Sequence, residues 1–142
     1  MREIKFRGKK CRDGQWVYGH YVESHKTWRG LKPHKSWIIT SALSNGGFFN
    51  IMGRYAVKDD TVGQFTGLTD KNGREIYEGD IVKHVAGLKK TKDGTWVDDA
   101  EIMLVHYNGA AFNISYYSKV TSYIEIIGNR YDNPELVKGL EI

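Results

Sequence analysis

Histidines and a single cysteine are the side chains of this sequence that could bind a transition metal. His20 and His25 fall within the His-x₃₋₅-His spacing of zinc sites, and Cys11 and His34 are the nearest candidates for two further ligands. Most of these residues lie in or beside a strongly basic segment, and positive charge opposes the binding of a cation. We therefore predict neither a metal site nor a cofactor.

Paired carboxylates are the second feature that could support catalysis. Asp59-Asp60 and Asp98-Asp99 are adjacent pairs, and Glu101 follows the second. Carboxylates can hold catalytic metal ions or act as acid and base, but neighbours on an extended strand point to opposite faces. Asp99 and Glu101 would share a face, which is more typical of a solvated strand edge that discourages aggregation.

Motifs for nucleophilic catalysis and for cofactor phosphates do not occur in the sequence. There is no Gly-x-Ser-x-Gly, phosphate loop or dinucleotide fingerprint, and no local motif places a base beside Cys11. We predict a protein without enzymatic activity and without catalytic residues. A metal-assisted hydrolase is the least favoured alternative.

Basic and aromatic residues are concentrated in the first 40 positions. This segment carries ten Lys/Arg and three Asp/Glu, whereas the remainder carries eleven and fourteen. Clustered positive charge attracts nucleic acid, and aromatic rings can stack on unpaired bases. The candidate nucleic-acid-binding residues are Arg7, Lys9, Lys10, Arg12, Lys26, Trp28, Arg29, Lys32 and Lys35.

Trp28 is the most informative of these candidates, because it lies in a polar, basic loop where a core role is least expected. Trp16, Tyr18 and Trp37 could belong to the same stacking face. The alternatives are a solvated surface, a loop anchor, or a protein interface, where Trp and Arg are also enriched.

The elements that would position these residues are short strands. Alternating, aromatic or β-branched segments predict strands at 3–7, 16–22, 36–40, 48–52, 62–66, 81–85, 96–97, 101–107, 111–117 and 122–128. No apolar period of 3.6 residues persists over ten residues. The fold should therefore be mainly β, with few short helical turns such as the one predicted at 133–136.

Turns and loops separate the predicted strands. Asn45-Gly46-Gly47 and Asn72-Gly73 are turn signals, and Asn-Gly favours a type I′ turn. We predict a long loop at 23–35 and a basic hairpin tip at 87–94. One cysteine and no apolar run of about 18 residues favour a reducing cytoplasm and no membrane partner.

Three stretches of the sequence resemble the YopX family of phage and prophage proteins. They are residues 4–7 followed by 16–19, residues 61–82, and residues 127–136. Most of the distinctive residues are Gly, Asn, Asp or Tyr, which usually record backbone geometry, so we predict a structural role for them. They are Gly63, Gln64, Gly67, Asn72, Gly73, Tyr77, Gly79, Asp80, Gly128, Asn129, Asn133 and Pro134.

The resemblance implies a fold and a biological setting but no reaction. It implies an SH3-like, partly open barrel in the C-terminal part, so we expect an N-terminal β section at 1–68 and the barrel domain at 69–142. The family offers no catalytic residues to transfer. We expect a phage- or prophage-type protein of the bacterial cytoplasm that binds another protein or itself. The alternative is nucleic-acid binding through the N-terminal third.

Overall fold

The structure is a computed structural model that describes residues 3–24, 30, 35–43, 50–117 and 123–140. Strands make up 55% and 3₁₀ turns 9% of it, which confirms the predicted mainly β fold. Most of the predicted loop at 23–35 and the turn at 45–47 lie outside the described residues. The chain divides into two compact units, Met1–Phe65 and Thr66–Ile142. The domain boundary predicted after residue 68 stays a prediction.

The first unit is an antiparallel sheet with the strand order β4-β3-β2-β1-β5. Its elements are β1 (Phe6–Lys9), β2 (Trp16–Glu23), β3 (Ser36–Leu43), β4 (Asn50–Ala56), a 3₁₀ turn (Asp59–Thr61) and the start of β5 (Gly63–Thr69). β1 begins later than predicted, because its pairing with β2 runs from Phe6 opposite Gly19 to Lys9 opposite Trp16.

Side-chain alternation gives the first unit one core face and one polar face. Val17, Ile38 and Val57 form the core cluster. Gly8 lies opposite Val17. A side chain would not fit there, because its Cβ would lie 2.9 Å from the Cβ of Val57. The neighbouring positions of β1 and β2 therefore carry their aromatic and basic side chains on the other face.

The second unit contains an open antiparallel sheet with the order β8-β7-β9. Its elements are the end of β5, β6 (Glu75–Tyr77), β7 (Asp80–Lys90), β8 (Trp96–Leu104), β9 (Ile124–Asn129) and 3₁₀ turns at Asn113–Tyr117 and Pro134–Leu136. Its core cluster is Ile76, Val82, Val105, Phe112, Ile114 and Ile124. The sheets are open, and the described residues include no closed barrel. Across the same residues, no helix has the length and apolar character to span a membrane.

Three strand predictions in the second unit were wrong. β8 (Trp96–Leu104) is one strand, whereas two were predicted at 96–97 and 101–107. β7 continues to Lys90, so Lys89 and Lys90 lie in a strand and not in the predicted tip at 87–94. The segment predicted as a strand at 111–117 ends in a 3₁₀ turn instead. There Asn113 binds the N–H of His106 and the carbonyl of Leu104 through its side chain, at 3.0 and 2.8 Å. Strand pairing in this segment is limited to an isolated bridge between Tyr107 and Phe112, and these side-chain bonds to the backbone accompany it.

The turn at Asn72-Gly73 also differs from the predicted type I′ turn. The N–H of Gly73 donates to the carbonyl of Asp70 at 3.0 Å, which makes Lys71 and Asn72 the central pair. Gly73 follows them at a φ of 79°, and the N–H of Asp70 donates to the carbonyl of Arg74 at 2.8 Å. This pattern fits the three-residue hairpin loop, in which glycine supplies the left-handed position.

Candidate binding surfaces

The ring of Trp16 contacts two of the predicted basic residues on the polar face of the first unit. The guanidinium carbon of Arg7 lies 4.4 Å from the centroid of the Trp16 ring, and the Nζ of Lys9 lies 5.4 Å from it. Arg7 is only 6% exposed. Cation–π contact stabilises both charges, and burial keeps that of Arg7 away from a surface ligand.

Carboxylates neutralise two more of the predicted cations. The Nζ of Lys10 lies 3.4 Å from the Oδ2 of Asp13, and that of Lys35 lies 3.0 Å from the Oε1 of Glu23. The hydrogen bond to Glu23 raises the pKa of Lys35, and the backbone N–H of Gln15 lowers the pKa of Asp13. Arg12 is exposed. The other candidates, Lys26, Trp28, Arg29 and Lys32, lie outside the described residues.

An open pocket of about 570 Å³ brings Lys10 and Arg12 together with residues of β4. Its lining includes Asp13, Arg54 and Tyr55. Arg54 and Tyr55 were not among the residues predicted from the sequence, because no local pattern connects β4 with the loop that follows β1. The described residues contain no group of three or more His, Cys, Asp or Glu that could hold a metal ion.

The most exposed apolar side chains of the second unit lie on a β-hairpin arm. We define the arm as residues 86–99, the outer parts of β7 and β8 with their connection. Its side chains are exposed except that of Thr91, which is half-buried. The connection is held by the N–H of Thr91, which donates to the carbonyl of Thr95, and by Asp93, which accepts from the N–H of Thr95. The hydrogen bond from the hydroxyl of Thr91 lowers the pKa of Asp93.

One face of the arm is apolar at its centre. Leu88 pairs with Asp98, and Lys90 pairs with Trp96, so alternation places these four side chains on the same face. Leu88 is 65% exposed and Trp96 is 63% exposed. The Nζ of Lys90 lies 5.9 Å from the centroid of the Trp96 ring. Ile102, farther along β8 on this face, is 44% exposed. We call the surface formed by Leu88, Trp96 and Ile102 the arm face, although Ile102 lies just beyond the arm itself.

The opposite face of β8 is acidic. Asp99 and Glu101 alternate with the arm-face residues and lie on the other side of the strand. Asp99 forms an ion pair with Lys89 at 3.1 Å. β8 ends the strand order of its sheet, and no strand among the described residues pairs with its outer edge. The signal for this surface in the sequence is the presence of Leu88, Trp96 and Val97 in an otherwise polar hairpin.

Comparison of the sequence with known protein families identifies the family of this chain. The sequence matches the family described as YopX protein over residues 5–138. The chain belongs to the YopX family. The crystal structure of protein EF1440 from Enterococcus faecalis is similar, with a TM-score of 0.53 and 20% identity over 96% of this chain and 99% of that one. No curated protein sequence matches the chain. These comparisons support the fold and supply no activity.

Asp70, in the second stretch of YopX resemblance, is a buried acceptor for three backbone N–H groups. Its Oδ1 accepts from Asn72 and Arg74 at 2.9 Å each, and its Oδ2 accepts from Ile126 at 3.2 Å. The Nη2 of Arg74 lies 3.2 Å from the same Oδ2. Burial raises the pKa of Asp70, but these hydrogen bonds outweigh it and hold the pKa below its ordinary value.

Two glycines of the YopX pattern lie where neighbouring side chains approach the backbone closely. Gly79 has a φ of 90°, and a Cβ there would lie 2.9 Å from the Cε2 of Tyr131. A Cβ at Gly128 would lie 2.6 Å from the Oδ1 of Asn133. The N–H of Arg130 donates to the carbonyl of Gly79 at 2.9 Å. Both glycines are therefore required by close approach of the chain.

Other polar residues of the YopX pattern close local turns. Asp80 accepts from the N–H of Tyr77 at 2.8 Å, and the ring of Tyr77 is buried. The Oδ1 of Asn129 accepts from the N–H groups of Tyr131 and Asp132 at 3.0 and 2.9 Å. Asn133 and Pro134 start the last 3₁₀ turn. This geometry gives the YopX residues of the second unit roles in the fold.

The remaining pattern residues lie along β5. Gly63 is buried and pairs with Arg7, and Gln64 pairs with Phe6. Gly67 has a φ of 85°, a backbone conformation that glycine adopts without steric cost. These three positions also have local roles in the sheet.

Proposed function

We propose that this YopX-family protein is a non-enzymatic protein-interaction module of phage or prophage origin that acts in the bacterial cytoplasm. The observation that carries the proposal is the exposure of Leu88 and Trp96, at 65% and 63%, on one face of the arm. Exposed large side chains on a projecting two-stranded element add little to the stability of a core. They are suited to burial against a partner.

Burial of this surface would contribute favourable free energy to a contact with a partner. Full burial of a Leu or aromatic side chain contributes roughly 1.5–3 kcal/mol, and Trp is enriched among the residues that dominate interfaces. Leu88 and Trp96 share their face with the charges of Lys90 and Asp98. A central apolar contact with polar surroundings is the usual composition of such interfaces.

The outer edge of β8 indicates the partner's chemistry. An added strand would hydrogen-bond to that edge and place alternate side chains on the two faces. One face would meet Trp96 and Ile102, and the other would meet Asp99 and Glu101. The fitting partner segment therefore carries apolar residues on the side that meets Trp96 and Ile102. A second copy of β8 fits poorly, because antiparallel pairing would bring its acidic residues close to each other.

The test is capture of a partner from a nuclease-treated lysate of the bacterial host. We expect the doubly substituted variant Leu88→Ser/Trp96→Ser to lose the captured protein. Tyr123→Ser is the matched control, because Tyr123 is 58% exposed in the same unit but lies outside the arm. Retention of the same partner by the arm variant would refute the proposal, as would an equal loss in the Tyr123 control.

A further inference from the structure

The pocket of the first unit forms where the loop after β1 meets the end of β4. The N–H of Cys11 donates to the carbonyl of Ala56 at 2.9 Å, and Lys10 forms an isolated bridge with Val57. β4 is the last strand in the order of its sheet, so side chains from both of its faces reach this edge. Arg54 and Tyr55, adjacent on β4, can therefore line the same pocket.

The charges that line the pocket are not balanced. Lys10, Arg12 and Arg54 contribute positive charge, and Asp13 is the carboxylate that lines the pocket with them. Asp13 already forms an ion pair with Lys10, whose Nζ lies 3.4 Å from the Oδ2 of Asp13. Neither arginine forms an ion pair with a carboxylate in the part of the chain that the structure describes, and both are exposed. About two positive charges are therefore left for a ligand.

One of these arginines is held in place by an aromatic ring. The guanidinium carbon of Arg54 lies 4.7 Å from the centroid of the Trp37 ring. This cation–π contact restricts the guanidinium group, so less conformational freedom is lost when a ligand binds. Arg54 is thus positioned as a planar donor for an oxyanion.

We propose that this pocket binds a nucleoside monophosphate, either free or as the 5′ end of an unpaired strand. A phosphate monoester carries roughly −1.5 to −2 charges at neutral pH, which matches the two unpaired arginines. Arginine forks bind phosphate oxygens through paired hydrogen bonds. The pocket, at about 570 Å³, has room for more than a phosphate. The ring of Tyr55, whose centroid lies 5.2 Å from the Nζ of Lys10, offers an aromatic contact to the organic part.

The experiment is a calorimetric titration of the full chain with four probes. These are adenosine monophosphate, adenosine, and an unpaired oligonucleotide with and without a 5′ phosphate. We expect each phosphorylated probe to bind at least about tenfold more tightly than its unphosphorylated match, because charged hydrogen bonds are lost with the phosphate. The stronger of the two phosphorylated probes identifies the source of the ligand. Equal binding with and without phosphate would overturn the proposal.

Variants test the assigned residues. Arg12→Gln and Arg54→Gln should each lower the affinity for adenosine monophosphate by at least about fivefold. Lys138→Gln removes the same charge from an exposed site in the other unit and should leave the affinity within about twofold. Arg12 is exposed, so its variant decides the matter if Arg54→Gln unfolds. Unchanged affinity in Arg12→Gln, or an equal loss in Lys138→Gln, would refute the site.

Discussion

At the scale of single residues, the ionisation of the Asp70 carboxylate contributes to the stability of the fold. Its side chain is fully buried, and its charged form accepts the N–H groups of Asn72, Arg74 and Ile126. Because an amide can replace only part of this acceptor set, Asp70→Asn should lower the free energy of unfolding by about 1–3 kcal/mol at neutral pH. Denaturant unfolding measures the loss.

The pH dependence follows from the lowered pKa of Asp70. A carboxyl whose folded pKa lies below its unfolded value, about 3.9, stabilises the fold above that value. The stabilisation disappears as the pH falls through the folded pKa. Wild type and Asp70→Asn should therefore converge below about pH 4. The control, Asp98→Asn, removes an exposed carboxylate on the arm and should leave the difference from wild type small at every pH.

Gly79 and Gly139 form a matched pair for measuring a steric contact. Their φ angles are 90° and 93°, but a Cβ at Gly79 would meet Tyr131 at 2.9 Å, whereas a Cβ at Gly139 has nothing within 4 Å. Gly139→Ala should cost about 1–2 kcal/mol from backbone strain, and Gly79→Ala should cost about 1–3 kcal/mol more from overpacking. Equal losses in thermal unfolding would show that Tyr131 moves aside freely.

At the scale of elements, the arm should be separable from the core beneath it. Leu88 and Asp98 pair directly, so an Asn-Gly turn can join them and replace residues 89–97. The core cluster uses no residue of the arm. We expect the free energy of unfolding to change by no more than about 0.5 kcal/mol, while partner capture is lost. A loss of about 2 kcal/mol or more would assign the arm a structural role instead.

The elements also show where sequence information ends. β2 and β3 were predicted closely because their aromatic and β-branched residues alternate between turn signals. The outer part of β7 was not predicted as a strand, because Gly87, Lys89 and Lys90 have weak strand preference. It is held as a strand by pairing with β8 and by the ion pair from Lys89 to Asp99. Tertiary pairing of this kind overrides local propensity.

The candidate pocket was hidden from the sequence for a related reason. Arg12 was identified from the basic composition of the N-terminal third, but Arg54 lies beyond it. They share a pocket because the bridge from Lys10 to Val57 joins two segments that are distant in the chain. The composition of the sequence shows which segments are charged. Only the pairing of the strands determines which charged side chains come together in one pocket.

At the scale of the whole molecule, most of the described basic side chains in the N-terminal third already contact a partner within the protein. Trp16 stacks with Arg7 and Lys9, and carboxylates pair with Lys10 and Lys35. Each of these contacts reduces the charge that is free to displace counterions from a nucleic acid. Arg12 and Arg54, which have no carboxylate partner among the described residues, are concentrated at one pocket.

Binding to single-stranded DNA should therefore depend only weakly on salt. A site that holds one or two phosphates gives a slope of about −0.7 to −1.4 for the logarithm of the association constant against that of salt. Fluorescence titration at several salt concentrations measures it, with Arg12→Gln expected to flatten the slope and Trp28→Ala to leave it unchanged. A slope steeper than about −3, reduced by charge reversal at Arg29 and Lys32, would instead show that the 23–35 segment contacts several phosphates. The extended stacking-and-phosphate surface would then replace the single pocket as the explanation of the basic charge.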